Sequence, residues 1–250
     1  MIGIAHKPFY LLLIIGFICL VLAGCDSDKK AKSDQLVVGL TADSPSIDIV
    51  QNDKMIGFEI DLIEKIGTII KKKFVFKNML FAELLPALEN KRVDAIISTF
   101  SVTPEREKIV DFSHTYHIPK ICAVFLKTVT EDKKQPFSGA RVGVIRGTTL
   151  EEWALKLGSV EVVPTDSMMQ LFGALRNHTI DMIISEDLIA KGFTQTNRDL
   201  DYQNIHDATG GGYAIAVAQN STLLPKINAA LDKLTKDGAV AHLKRKWGLD

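Results

Sequence analysis

The chain has 250 residues, 46% hydrophobic and 24% charged, which is enough material for one large globular unit or two smaller lobes. Its 30 basic and 30 acidic residues balance, which argues against nucleic-acid binding because proteins of that class carry a basic excess. The three cysteines argue against a disulfide framework, since secreted domains of that kind carry even sets of cysteines.

The chain begins with a strongly apolar segment. The run PFYLLLIIGFICLVLAG has no charged residue and follows Lys7. It is shorter than the roughly 20 residues that a spanning helix needs, and it ends in small residues, so residues 1–24 are predicted to be a secretory signal peptide. The polar stretch DSDKKAKSD comes next, and we expect residues 25–35 to form a flexible tether.

The end of this signal, VLAGC, resembles the bacterial lipobox. The resemblance implies cleavage after Gly24 and acylation of Cys25 by palmitate or a similar chain. An ordinary signal peptide or an uncleaved anchor is the alternative. We expect a lipoprotein of the cell envelope, anchored to a membrane and facing the periplasm or the outside. Cys122, in the apolar run ICAVF, then has no partner and is expected to be buried rather than reactive.

Short apolar runs alternate with helical patterns along the rest of the chain. Strands are predicted at residues 36–40, 73–76, 94–98, 122–126, 141–145, 161–163, 181–185 and 213–218. Helices are predicted at residues 57–70, 81–90, 149–157, 167–177 and 187–193, with two more at the C-terminus. This alternation predicts an α/β protein with mostly parallel sheets.

One cation stands at the wrong end of a predicted helix. Thr103 and Pro104 are typical of a helix N-cap and first helical residue. Arg106 follows in the first turn, where the helix dipole opposes a positive charge by about 0.3–1 kcal/mol. Arg106 therefore pairs with its neighbours Glu105 and Glu107 at the surface, or it holds an anion from elsewhere.

Polar residues also follow three predicted strands. In open α/β sheets, ligands bind beyond the carboxyl ends of the strands. Ser98 and Thr99 follow one strand, residues 146–149 follow a second, and residues 185–186 follow a third. Together with Arg106 they offer a cation, hydroxyls, helix N-terminal amides and a carboxylate. This set complements a small zwitterion.

Four ordered segments resemble a known family. GFEIDL resembles its GFDVDL segment, DAIISTFSVTPEREKIVDFSHTY its DAIIAGMTITPERAKxVDFSxPY signature, and VGVIRGTTLEEW its VGVQxGTTxExx. The C-terminal stretch YAIAVAQNSTLLPKINAALDKLTKDGAVAHLKRKWG resembles its closing strand and helix pair. The chain thus resembles the solute-binding proteins of ABC transporters, in the class that binds polar amino acids.

The resemblance implies the type II periplasmic binding protein fold, in which two α/β lobes are joined by a two-strand hinge. Lobe 1 is expected to comprise residues 36–117 plus 214–250, and lobe 2 residues 118–213. The family traps its ligand by closing the lobes.

The resemblance also implies roles for single residues of lobe 1. Arg106 matches the arginine that holds the ligand α-carboxylate in a bidentate pair, a geometry that lysine cannot supply. Ser98 and Ser101 match contacts to the α-amino and carboxylate groups, and Thr99 and Phe100 lie between them. Capping of a strand or helix is the alternative role for both serines.

Lobe 2 would supply the remaining contacts. Thr148 and Thr149 match a pair that binds the same carboxylate at a helix N-terminus, unless Thr148 is only an N-cap. Glu186 stands where the family usually has an aspartate for the α-ammonium. A solvated glutamate at a helix start is the alternative, and Asp187 is a rival for the role.

Two departures from the family bear on specificity. Ser44 replaces an aromatic residue that stacks on the ligand side chain, and Thr41 stands where receptors for basic amino acids carry an aspartate. Both argue against arginine or lysine as the ligand. Phe81 is a candidate aromatic wall or a core residue. Arg146 either faces the pocket or is solvated.

The expected function is capture of an amino acid and its delivery to an ABC permease. The chain has no P-loop, so the ATPase would be a separate subunit. We expect a monomer without cofactor, metal or catalytic residue. Two alternatives stay open: a sensor lipoprotein that signals to a partner, and an enzyme resembling the cyclohexadienyl dehydratases, in which Glu186 would be the general acid.

Overall fold

Two five-stranded sheets organise the computed structural model, which describes residues 34–128, 138–207 and 211–250. The predicted signal peptide, the lipid-bearing Cys25 and nearly all of the predicted tether lie outside these ranges. Within the ranges, no helix has the length and apolarity to cross a membrane.

The first stretch of chain, up to the first crossover, holds seven strands and three helices. They are β1 (Gln35–Leu40), β2 (Asp43–Ser44), β3 (Asp48–Gln51), β4 (Lys54–Ile56), α1 (Phe58–Ile70), β5 (Lys73–Asn78), α2 (Phe81–Glu89), β6 (Ala95–Ile96), α3 (Pro104–Glu107) and β7 (Val110–Phe112).

The middle stretch holds five strands and three helices within its described residues. They are β8 (Lys120–Leu126), β9 (Arg141–Ile145), α4 (Thr149–Leu157), β10 (Glu161–Thr165), α5 (Met168–Arg176), β11 (Met182–Glu186), α6 (Asp187–Thr196) and β12 (Leu200–Asp207). The chain closes with β13 (Ala216–Ala218), α7 (Leu224–Lys236) and α8 (Ala239–Lys246).

The two large sheets share one plan. The first runs β5-β1-β6-β13-β7 and the second β10-β9-β11-β8-β12. In each, the first two strand pairings are parallel and the last two are antiparallel, because the fourth strand in the order runs opposite to the other four. Four of the five strands in each sheet therefore run in one direction, as expected of mostly parallel sheets. The reversed strand, β13 in the first sheet and β8 in the second, is the one that directly follows a crossover.

The chain crosses between the sheets twice. It leaves the first after β7 and enters the second at β8, then returns between β12 and β13. The crossovers meet at Tyr213, whose N–H donates to the His117 carbonyl at 2.7 Å. We call the unit around the first sheet lobe 1 and the unit around the second lobe 2. The lobe limits after residues 117 and 213 stay predictions.

One apolar face of α1 packs into the core of lobe 1, as its helical periodicity predicts. Ile60, Ile63 and Ile66 of α1 are buried on one face. In lobe 2, Cys122 is a free and fully buried cysteine, which confirms that it is buried. Burial raises the pKa of its thiol to about 12, so it stays protonated and unreactive near neutrality.

The sequence patterns did not predict every strand correctly. The small antiparallel sheet β2-β3-β4 and the long strand β12 were not predicted. The strand predicted at residues 94–98 is only the two residues of β6. Beyond it, the Ile97 N–H still donates to the Gly39 carbonyl at 3.2 Å, and Thr99 then leaves the extended conformation with a φ of +44°.

Candidate ligand-binding site

A cavity lies between the lobes, at the carboxyl ends of the parallel strands of both sheets. Nine of the ten residues predicted to contact a ligand line it: Ser44, Phe81, Ser98, Thr99, Ser101, Arg106, Thr148, Thr149 and Glu186. Thr41 lines it as well. The cavity has a volume of about 60 Å³.

Arg106 spans the two lobes. The hydroxyl of Thr103 caps α3 by accepting from the Arg106 N–H at 3.2 Å, which fixes the start of the side chain. Arg106 Nη1 donates to the Ser101 carbonyl at 2.8 Å, and Nη2 donates to the Gly147 carbonyl of lobe 2 at 3.2 Å. Two of the five guanidinium donors are thus used within the described chain, which leaves three N–H groups.

Aromatic rings support this guanidinium. Its central carbon lies 4.1 Å from the centroid of the Phe100 ring and 5.6 Å from that of Phe81, distances typical of cation–π contact. Phe100 lies behind the arginine and does not line the cavity. Burial lowers the pKa of Arg106 to about 10, so it is still charged at neutral pH.

A tight turn presents the serines of lobe 1. The Ser98 hydroxyl accepts from the Thr41 N–H at 3.0 Å, and the Thr99 N–H donates to Glu59 Oε1 at 2.7 Å. The positive φ of Thr99 is costly for a β-branched residue and persists because these bonds hold it. Ser98 and Ser101 are buried against the cavity.

The start of α4 forms the facing wall. Thr148 caps this helix, because its hydroxyl accepts from the Glu151 N–H at 3.3 Å and donates to the Ile145 carbonyl at 2.7 Å. Its hydroxyl proton is therefore occupied in the structure. Thr149 is the first helical residue, and first-turn amides of this kind attract anions. Gly147, at a φ of +78°, aims its carbonyl at Arg106.

Glu186 places a carboxylate in the same cavity. It ends β11, is 8% exposed, and accepts a hydrogen bond from the Tyr213 hydroxyl at 2.7 Å through Oε2. Burial raises its pKa to about 7, although the Tyr213 bond and the charge of Arg106 oppose the rise. Its rival Asp187 lies outside the cavity lining and contacts the His117 ring at 3.0 Å.

The sequence reasoning missed Asp43 and the apolar part of the wall. Asp43 Oδ2 accepts from the Met168 N–H at 3.0 Å, across the lobes, and Oδ1 accepts from the Ser44 hydroxyl at 3.2 Å. Burial raises the pKa of Asp43. The missed apolar residues are Ile145, Leu150, Met168, Ile184 and Ile189. Asp43 belongs to the segment already noted for its departures, whereas the apolar residues gave no signal apart from core-like patterns.

Arg146 does not reach the cavity. Its side chain is half exposed and donates to Asp166 at 3.0 Å through Nε. Among the residues that the structure describes, no cluster of histidine, cysteine and acidic side chains is suited to a metal ion. The ligand-contact roles themselves stay predictions.

Similarity to known proteins bears on what this cavity is for. A family model described as bacterial extracellular solute-binding proteins, family 3, matches residues 36–250. The arginine-binding extracellular protein ArtP of Bacillus subtilis (strain 168) is 30% identical over 249 residues, which cover 96% of this chain and 98% of ArtP. The glutamine-binding protein GlnH of the same strain is 27% identical over 96% of this chain and 97% of GlnH.

A solved structure gives the same result for the fold. An ancestral arginine-binding protein bound to arginine has a TM-score of 0.79 to this chain at 32% identity, over 86% of this chain and 98% of that one. The two-lobed fold and the resemblance to amino acid-binding proteins are thereby confirmed. The chain belongs to family 3 of the bacterial extracellular solute-binding proteins.

Proposed function

We propose that the protein captures an amino acid by closing its lobes and delivers it to an ABC permease. One observation carries the proposal: Arg106 and Glu186, buried and of opposite charge, line one cavity that both lobes wall. An α-carboxylate and an α-ammonium on a single carbon match this pair. The names of the relatives, an arginine-binding and a glutamine-binding protein, support the same class of ligand.

The free donors of Arg106 suit a carboxylate in a bidentate pair, and the first-turn amides of α4 reach the same anion. Since Arg106 belongs to lobe 1 and α4 to lobe 2, one carboxylate would join the lobes. Glu186 would take the ammonium. A ligand held by both lobes binds the closed state better than the open one, and this difference in affinity drives closure.

The anchor and partner follow from the sequence. We propose acylation at Cys25, a place in the cell envelope, and action as a monomer with a separate permease and ATPase. Cys25 lies outside the described residues, so this proposal rests on the lipobox resemblance alone. The relatives are named as binding proteins, and we propose no catalytic role.

Removing the Arg106 guanidinium should abolish binding. We expect one or more amino acids to raise the melting temperature of the wild type by roughly 5–10 °C at a hundredfold excess over Kd. Arg106→Ala should show no shift, and Arg106→Lys a reduced one because an ammonium cannot form two parallel bonds. Arg146→Ala, outside the cavity, is the matched control and should respond like wild type. A normal response from Arg106→Ala would contradict the proposal.

Ligand affinity should fall in acid through Glu186. Its carboxylate, which has a pKa of about 7 with the lobes as they stand in this structure, must be ionised to pair with an ammonium. Below pH 7, binding therefore requires release of a proton, and Kd should rise up to tenfold per pH unit. Calorimetry from pH 5 to pH 8 should show this for wild type, whereas Glu186→Gln should bind weakly with a flat profile. If wild type and Glu186→Gln lost affinity in acid to the same extent, the acid sensitivity would come from another group.

Closure should depend on a glycine at the lobe interface. A Cβ at Gly192, on α6, would lie 2.1 Å from the carbonyl oxygen of Pro45 in lobe 1. Alanine suits a helix, so Gly192→Ala should leave the unfolding stability of the free protein unchanged or slightly higher while weakening binding at least tenfold. Small-angle scattering should show a reduced ligand-induced decrease in radius. If Gly192→Ala destabilised the ligand-free protein as much as it weakened binding, the substitution would act on folding and not on closure.

The size and lining of the cavity indicate the class of ligand side chain. Its volume of about 60 Å³, with the lobes as they stand in this structure, favours an amino acid with a short side chain. The remaining wall is apolar apart from Thr41, Ser44, Ser185 and Asp43, and the Asp43 carboxylate already accepts two hydrogen bonds. We infer a small, uncharged side chain.

A ranked panel tests this class. Alanine, serine, threonine and cysteine should give larger thermal shifts than arginine, lysine or glutamate at equal concentration. A largest shift with arginine would overturn the inferred side-chain class but keep the proposed function, because Arg106→Ala would still remove it.

A further inference from the structure

Two carboxyl side chains are buried together beneath the ligand-binding turn. Asp48, at the start of β3, is 1% exposed, and Glu59, in the first turn of α1, is 0% exposed. The Glu59 N–H donates to the carbonyl of Ile47, the residue before Asp48, at 3.3 Å, and each carboxyl affects the pKa of the other. If both were ionised, three oxygens would lack any donor within the described chain: both of Asp48 and Oε2 of Glu59. Two unpaired buried charges of one sign are too costly to persist.

A single shared proton resolves the arrangement. A protonated Asp48 would donate to Glu59 Oε2, which gives two of the three oxygens a partner and leaves the third as the neutral carbonyl oxygen of Asp48. Glu59 is the better anion, because its Oε1 accepts from the Thr99 N–H at 2.7 Å and from the Tyr116 hydroxyl. The start of a helix also favours its negative charge. For Asp48, the nearby backbone donor within the described residues is the Ile60 N–H, and its geometry is not that of an ordinary hydrogen bond.

Among the described residues, no cation forms an ion pair with Asp48 or Glu59. Asp43 and Glu59 face Asp48, while Tyr116 and His117 face Glu59. The His117 ring accepts from Lys244 at Nδ1, at 2.9 Å, and contacts Asp187 through Nε2, at 3.0 Å.

We propose that Asp48 and Glu59 share one proton, held on Asp48, and that this pair positions the Ser98–Ser101 turn for ligand binding. Glu59 joins α1, the crossover at Tyr116 and the backbone of Thr99, whose positive φ needs such support. Asp48 acts through Glu59 and is a positioning residue. The binding half of this proposal rests on the proposed function, whereas the shared proton does not.

The proton gives the pair a pH dependence of known sign. Burial and the charge of Glu59 raise the pKa of Asp48 well above its ordinary 3.8. The unfolded chain loses this proton near the ordinary value, so folding takes up a proton above it. The stabilising effect is complete below the ordinary pKa and is lost as pH rises through the raised one.

Unfolding without ligand tests the shared proton. Urea denaturation of wild type and Asp48→Asn should be compared from pH 5 to pH 9. The asparagine donates to Glu59 without a titrating proton, so the unfolding constant of wild type relative to the variant should rise about tenfold per pH unit until the raised pKa is reached. Glu59→Gln donates from the other side and should flatten the profile in the same way. Parallel curves for wild type and both variants would overturn the shared proton.

Ligand affinity tests the positioning role. Using any amino acid that the thermal-shift panel identifies, Asp48→Asn should bind within about twofold of wild type at pH 7, and Asp48→Ala at least tenfold more weakly. The ratio of the wild-type Kd to the Asp48→Asn Kd should rise at alkaline pH, where the wild type loses the shared proton. Titration of the ligand and of Arg106 affects both proteins equally and cancels in this ratio. Wild-type affinity in Asp48→Ala would overturn the positioning role. If Asp48→Ala does not fold, a ratio of wild-type to Asp48→Asn Kd that stays constant across pH would overturn the positioning role.

If no amino acid binds, the proposed function and the positioning role fail together, while the unfolding curves still decide whether the proton is shared.

Discussion

The bonds from the Arg106 guanidinium to one carbonyl of each lobe are the interaction around which the cavity is arranged. A buried cation needs compensation, and here protein carbonyls, an aromatic ring behind it and the nearby Glu186 supply part of it. Three guanidinium N–H groups have no partner within the described chain, and in the proposed function a ligand carboxylate would take them. Because one bond leads to Ser101 and the other to Gly147, the position of this side chain is tied to the approach of the lobes.

Glu186 and the Ser98–Ser101 turn line the same cavity as Arg106, but different interactions hold them. Glu186 is poised between its two protonation states near neutrality because burial opposes its charge while Tyr213 and Arg106 favour it. The turn owes its shape to Glu59, which bonds the Thr99 N–H from the core side. Groups that never touch the cavity therefore hold those that line it.

Local patterns predicted much of the fold. The strand at Arg141–Ile145 and the helix at Thr149–Leu157 begin and end where the sequence indicates, since an apolar run and an N-cap threonine fix them locally. The two-residue β6 is shorter than its apolar run, and beyond it Thr99 leaves the extended conformation with a tertiary bond to Glu59. The small sheet β2-β3-β4 and strand β12 lacked such signals, since their pairing partners define them.

The sequence by itself determined which chemistry stands at the strand ends: a cation, hydroxyls, a helix start and a carboxylate, each fixed by local rules of capping and periodicity. Only the tertiary structure decided which of these groups face one another and in what state. It turned Glu186 into the cavity and Asp187 away from it, and it brought Asp43 to the start of α5. It also buried Asp48 against Glu59. Charge states depend on desolvation and on partners distant in sequence, and both exist only once the elements have packed.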